Sequence, residues 1–264
     1  MAEGRLANRV AVITGAGDGI GRGMARRFAA DGAAVLVAEF NETTGQAVAD
    51  ELKSAGARAE FFRCDVTIQK DVETMVATAV EKFGSIDILV NNAFRGRGLN
   101  KIENMEDAEF EESFLINFWA AKWSMIAALP HMRARHWGRV INFCSLNGVN
   151  AHMGTAAYNV GKEALRTLTR SAAREWAGHG ICANIICPAA ASASFRHFAT
   201  LQPELAAGAA AANPMGRMGD PELDIGGVAL FLASEDARYV TGNTIYADGG
   251  SHINGVAWIP ELPE

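Results

Sequence analysis

The chain has 264 residues, 49% of them hydrophobic and 20% charged, with a formal charge of -6. That composition supports a large core and excludes an extended disordered chain. The acidic balance argues against a general affinity for nucleic acid or anionic membrane, and no apolar run reaches the ~18 residues of a membrane span.

In chain order, "RVAVIT" reads as a first strand and "IGRGMARRFAADG" as the helix after it. Between them Gly15, Gly19 and Gly21 follow the spacing TGxxxGxG, with Gly17 as an extra glycine and Asp18 and Ile20 beside them. Such a turn aims backbone N–H groups and a helix N-terminus at a pyrophosphate. Alone it is weak evidence, because a purely structural turn has the same composition. The second strand, "AAVLVAEF", ends at Glu39 and Phe40. Glu39 stands 20 residues after Gly19. An acid there can bind both adenosine ribose hydroxyls, or it is a solvated strand end. With Asp18 it disfavours a 2′-phosphate, and no Arg or Lys occurs from 28 to 52. Arg22 is the long cation that can swing toward such a phosphate.

A helix, "NETTGQAVADELKSAG", leads to the strand "ARAEFFRCDV", which ends at Asp65 and Val66. Asp65 can accept from an adenine amino group or cap the next helix. After "TIQKDVETMVATAVEKFG" comes the strand "SIDILVNNA". Asn92, followed by Ala93, can bond turn backbone or a cofactor. A long helix over 105–132 carries Asn117, and "GRVINFCS" ends at Ser145.

The next helix holds "YNVGK". Tyr158 and Lys162 are i and i+4 and share a face. An ammonium beside a phenol stabilises phenolate and lowers its pKa, and a tuned phenol can exchange a proton with a carbonyl or an alcohol. Ser145 can hold the substrate oxygen, and Asn117 can anchor a water leading from Lys162. Each of these residues alone reads more readily as helix surface or turn; their order after a dinucleotide turn carries the argument.

"ICANIICP" ends at Pro188, and an alanine-rich connection, bracketed by prolines, then reaches residue 221. A connection this long is expected to be a lid or binding loop. The chain closes with the helix "DPELDIGGVALFLASED" and the strand "NTIYADGG". Strand–helix alternation of this kind implies a parallel sheet with helices on both faces. The four cysteines show no CxxC spacing and read as buried, reduced thiols. With no leader-like N-terminus, a cytoplasmic protein is expected.

Over about residues 8–250 the sequence resembles a classical short-chain dehydrogenase/reductase, through "TGAGDGIG", "DV" at 65–66, "NNA", Asn117, Ser145, "YNVGK" and "YADGG". The resemblance implies a single Rossmann-like doubly wound α/β domain over 1–264 with a seven-stranded parallel sheet, a substrate loop at about 189–219 and a tail at 251–264. It implies Tyr158 as general acid/base, Lys162 as its tuner and a nicotinamide-ribose ligand, Ser145 as substrate orienter and Asn117 as proton-relay anchor. NAD(H) is the implied cofactor. Its expected ligands run from the glycine turn, Glu39, Phe40, Asp65, Val66, Asn92 and Ala93 to Pro188, Ala191 and Ser192. No metal is implied. A homotetramer is expected, with Phe118, Trp119 and Trp123 exceeding what one core-facing stripe needs.

Two departures stand out. Phe94 replaces the glycine of the family's NNAG, and Ala189 and Ala193 replace its glycine and the threonine that holds the carboxamide. Ser192 or Ser194 can substitute for that hydroxyl. Phe94, Asn147 and Phe195 are candidate pocket residues. With Trp258 in the tail they suggest an uncharged, apolar, cyclic or aromatic secondary alcohol or ketone, whereas Arg95 and Arg97 would suit an anionic group. The expectation is an NAD-dependent alcohol dehydrogenase or ketoreductase. Alternatives are a 3-ketoacyl-thioester reductase, carbon–carbon double-bond reduction, and a non-catalytic NAD-bound scaffold.

Overall fold

Aliphatic runs become strands here because both of their faces are covered. The computed structural model describes residues 4–96 and 98–253, so Arg97 and Trp258 lie outside the described residues. The strands are β1 (Val10–Thr14), β2 (Ala34–Glu39), β3 (Ala59–Arg63), β4 (Ile88–Asn91), β5 (Gly138–Phe143), β6 (Ile181–Pro188) and β7 (Thr244–Ala247). They form one parallel sheet in the order β3-β2-β1-β4-β5-β6-β7. The order reverses between β1 and β4, which opens a crevice at their carboxyl ends where open α/β sheets bind ligands. This is the expected Rossmann-like architecture.

Helices α1 (Gly19–Ala30), α2 (Glu42–Ser54) and α3 (Gln69–Phe83) follow the first three strands. After β4 come α4 (Asp107–Phe114) and α5 (Ala120–Ala134). After β5 come α6 (Leu146–Val149) and α7 (Ala156–Trp176), and after β6 come α8 (Ala193–Leu201), α9 (Pro203–Ala211) and α10 (Gly226–Ala233). Alternate strand residues build two cores. Ala11 and Ile13 meet Met24 and Phe28 of α1 and Leu230 of α10. Val12, between them, faces Met75 of α3, Met125 of α5 and Trp176 of α7.

A buried polar network pins α5 and α7 to the middle of the sheet. Asn91 Nδ2 donates to Asn142 Oδ1 at 2.8 Å, Asn142 Nδ2 to Thr169 Oγ1 at 2.8 Å, and Ser124 Oγ to Asn91 Oδ1 at 2.7 Å. A satisfied network of this kind fixes one packing arrangement.

Two segments differ from expectation. The long helix is not uniform: a π-helical turn, Leu115–Trp119, joins α4 to α5 and contains Asn117. The long connection after β6 is not irregular either. Ser192 Oγ caps α8 by accepting from Phe195 N at 3.2 Å, and Pro203 opens α9. Alanine-rich sequence is strongly helix-forming once such starts exist. Among the described residues, no helix is long and apolar enough to cross a membrane, and no cluster of His, Cys, Asp or Glu could hold a metal. All four cysteines are free and buried.

Candidate active site

The turn after β1 needs its glycines. Gly15 and Gly19 have φ of 65° and 54°, in the left-handed region. A Cβ on Gly21 would lie 2.0 Å from the Gly15 carbonyl oxygen, and one on Gly15 would lie 2.8 Å from Ala93 Cα. Asp18 caps α1 by accepting from Gly19 N at 2.6 Å. Asn92 Nδ2 donates to the carbonyls of Thr14 and Gly15 at 3.0 and 3.1 Å. Its amide therefore clamps the turn.

The Glu39 carboxylate is not a solvated strand end. It accepts from Gly17 N at 3.0 Å, Phe40 N at 2.8 Å and Asn41 N at 3.1 Å, which hold it against the glycine turn. Asp65 Oδ1 accepts from Thr67 N and Thr67 Oγ1 at 3.0 and 2.6 Å. It closes a local turn, and α3 begins only after Ile68.

These groups line a cleft of about 930 Å³. Gly15, Asp18, Gly19, Ile20, Glu39, Phe40, Asp65 and Val66 form part of its wall, as do Asn92, Ala93, Pro188, Ser192, Asn147 and Phe195. Ser145, Tyr158 and Lys162 also line it. Ala191 does not; its carbonyl accepts from Arg196 Nη1 at 2.9 Å. The left-handed glycines, a turn with no room for side chains and a fixed carboxylate fit an adenine dinucleotide.

Ser145, two residues past the end of β5, caps α6, accepting from Asn147 N at 3.1 Å. One turn of α7 places Tyr158 and Lys162 on a common face, with Lys162 Nζ 5.7 Å from the Tyr158 ring centroid. Lys162 is buried, and its Nζ donates to Phe143 O at 2.7 Å. Burial lowers its pKa. Burial also pushes the Tyr158 phenol up from 10.0 to about 12, and a hydrogen bond with Ser145 works in the opposite direction. In the protein alone, burial is the largest influence on the phenol.

Asn117 is brought to Lys162 from behind. The π turn leaves Ser113 O to accept from Asn117 Nδ2 at 2.9 Å. Asn117 Oδ1 is buried and has no hydrogen-bond partner among the described residues. A cavity of about 10 Å³ touches both Asn117 and Lys162, which is close to the room one water requires. Ser113 Oγ donates to Ala157 O at 2.7 Å. A Cβ on Gly161 would lie 2.7 Å from that hydroxyl, so the glycine inside "YNVGK" permits the approach of α7 to α4. Phe94, about half exposed, stands edge-on to Tyr158 with ring centroids 5.3 Å apart and planes at 72°.

Residues 15–252 match the family described as enoyl-(acyl carrier protein) reductase. The human dehydrogenase/reductase SDR family member 4 is 35% identical, over 93% of this chain and 88% of its own length. The chain belongs to the short-chain dehydrogenase/reductase family. Another member, the 2,5-dichloro-2,5-cyclohexadiene-1,4-diol dehydrogenase LinX of Sphingobium indicum, is 35% identical, over 93% of this chain and 97% of its own. The crystal structure of levodione reductase superposes with a TM-score of 0.90 at 31% identity, covering 95% of this chain and all of that one. This short-chain dehydrogenase/reductase is accordingly an oxidoreductase that uses a nicotinamide cofactor.

Some functional neighbours escaped the sequence reading. Arg196 Nη2 lies 2.5 Å from Asp18 Oδ1, although 178 residues separate them. Arg63 stacks over the Phe40 ring at 5.1 Å and stands opposite Glu39 in the β2–β3 register; strand adjacency could have revealed it. Arg22 pairs with Glu51 at 3.0 Å and is held there. In the cofactor-free protein the Tyr158 phenol is expected to stay protonated to about pH 10.5, given its position near 12. The difference in phenolate absorbance between wild type and Tyr158→Phe checks this, and a Tyr158 phenolate signal already half-developed at pH 10 would contradict it.

Proposed function

We propose that this short-chain dehydrogenase/reductase is NAD(H)-dependent and interconverts a secondary alcohol and a ketone. The observation that carries the reading is the phenol of Tyr158, together with Ser145 and the buried Lys162 in the wall of one cleft, with Lys162 Nζ 5.7 Å from the Tyr158 ring centroid. In the reducing direction Ser145 holds the carbonyl oxygen and Tyr158 gives it a proton; oxidation runs the same steps backward. The bound cofactor supplies or takes the hydride. Lys162 holds the nicotinamide ribose, and its charge favours phenolate. Asn117 positions a water through which the proton leaves. A non-catalytic scaffold has no use for this set, and the oxygen-directed Ser145–Tyr158 pair favours carbonyl over double-bond reduction. Product analysis separates those two reactions.

The apolar walls, with Phe94 and Phe195, support an uncharged ring substrate, as does the cyclohexadiene-diol in the name of LinX. Four buried thiols suit a reducing cytoplasm. The half-exposed Trp119 stacked on Trp123 and the groove of about 1030 Å³ along α7 support assembly with further copies, as a homotetramer. Sedimentation should give a tetramer at micromolar concentration, and a monomer there would defeat the assembly.

Tyr158→Phe is expected to lower kcat by ~10²-fold or more, because proton transfer at this step has no other donor, while NADH affinity stays near wild type. A mutant keeping more than about a tenth of wild-type kcat would remove Tyr158 from the acid/base role.

Glu39 decides the cofactor. Three backbone N–H groups fix its carboxylate, so it cannot swing away from a 2′-phosphate. Like-charge contact of this kind costs several kcal/mol, so NAD(H) should be preferred by ~10²-fold or more in kcat/KM. Asp18 contributes less, since Arg196 is paired with it. Glu39→Ser with Phe40→Arg should narrow or reverse the preference. Initial rates with the two cofactors at equal concentration check this, and equal wild-type rates would sink the assignment.

A further inference from the structure

The charges around the cleft are unevenly placed. Asp18, Glu39 and Asp65 stand in its wall beyond β1, β2 and β3, on one side of the point where the strand order reverses. Lys162, bonded to β5, stands on the other side, and Arg95 of the wall is paired with Glu112. Among the described residues, the carboxylate side of the wall holds no Lys or Arg. Nearby cations are engaged elsewhere, Arg22 with Glu51 at 3.0 Å and Arg63 with Glu42 at 3.2 Å. The cation that does reach this side comes from α8. Arg196 Nη1 donates to Ala191 O at 2.9 Å, and Nη2 donates to Asp18 Oδ1 at 2.5 Å. The same Oδ1 accepts from Gly19 N at 2.6 Å. The guanidinium therefore stands one carboxylate oxygen away from the backbone N–H groups of the glycine turn. Close backbone contact seats α8 there, since a Cβ on Gly19 would lie 2.8 Å from Ala193 N. Ala193, Ser194, Phe195 and Phe198 of the same helix line the cleft.

A pyrophosphate entering this side meets three carboxylates, and like charges repel unless a cation stands between them. A guanidinium carries five N–H donors in a planar fork. Ala191 O and Asp18 Oδ1 take two of them, and the others suit phosphate oxygens, which arginine binds with paired donors. The half-exposed pair with Asp18 adds little to stability by itself. The dinucleotide fingerprint assigns the pyrophosphate to the glycine turn and the start of the first helix. It contains no cation from a segment 178 residues further along the chain. We infer that Arg196 is a cofactor ligand, whose guanidinium bridges the Asp18 carboxylate and the pyrophosphate of the bound nicotinamide dinucleotide. It offsets the negative charge on that side and ties α8 to the cofactor. The inference rests on the use of a nicotinamide dinucleotide and not on the choice between NAD and NADP, because both carry the pyrophosphate.

The test measures binding without turnover, by calorimetry with NADH and ADP-ribose and by NMR titration with adenosine. It uses the wild type, Arg196→Met and Arg196→Lys, and repeats Arg196→Met in an Asp18→Asn background, where the amide oxygen still caps α1. Arg196→Met should weaken NADH and ADP-ribose by about tenfold, as expected for one charge-assisted hydrogen bond. Adenosine, which has no phosphate, should stay within about twofold of wild type. Arg196→Lys should fall between, because an ammonium keeps the charge without the fork. In the Asp18→Asn background, Arg196→Met should again weaken ADP-ribose severalfold. Three results would overturn the inference. Unchanged ADP-ribose affinity removes the contact. An equal loss for adenosine means that the turn or α8 has been displaced. A loss confined to protein that retains Asp18 means that Arg196 only neutralises that carboxylate. Should the wild type bind NADPH and not NADH, NADPH and 2′-phospho-ADP-ribose replace the two ligands, and the same outcomes decide. A wild type that binds neither dinucleotide overturns the cofactor, and the role of Arg196 falls with it.

Discussion

A buried ammonium is the constraint on which the site depends. Removing a charge from water costs several kcal/mol unless polar partners replace the solvent. Lys162 has three donors, and the Phe143 carbonyl meets one of them at 2.7 Å. Lys162 also borders both the cleft and the 10 Å³ cavity beside Asn117. The fold makes this position rigid. The Asn142–Thr169 bond holds α7 on β5, and Gly161 lets α4 close over the same turn. Tyr158, one turn earlier, then has no choice of face, and Ser145 stands beside it because it lies two residues past β5, the strand to which α7 is bonded.

Much of this was legible in the sequence, for a physical reason. Inner parallel strands covered on both faces are largely aliphatic runs and could be read directly, while the edge strands β3 (AEFFR) and β7 (TIYA) are mixed in character and only partly buried; the glycines at 15, 19 and 21 mark places where a side chain has no room. Tyr158 and Lys162 could be paired because i and i+4 spacing is a local property of a helix. The missed features are non-local. The π turn at Asn117 depends on Ser113 bonding to the start of α7. Arg196 reaches Asp18 only after the connection has folded into α8. The phenol pKa could not be read from spacing, because it is set by burial and not by the neighbour one turn away.

The altered motif after β6 has a structural account. Ala193 is the first residue of α8, and Ser192 spends its oxygen as the cap of that helix while still facing the cleft. A hydroxyl that accepts from Phe195 N can still donate its own proton. Loss of the threonine therefore leaves a donor in the same wall, shifted by one residue to a position the helix itself fixes.

The lid and the glycine turn are also one unit. A Cβ on Gly19 would lie 2.8 Å from Ala193 N, so the bare backbone at Gly19 serves the approach of α8 as well as the turn. Asp18, next to it, caps α1 and holds Arg196 of α8. Both partners of that ion pair are about half exposed, and such pairs contribute at most about 1 kcal/mol. A contact that weak ties α8 to the glycine turn at the rim of the cleft without locking it there. Fixed geometry thus lies in β5 and α7, which the Asn142–Thr169 bond joins, and the weaker contact lies at the rim.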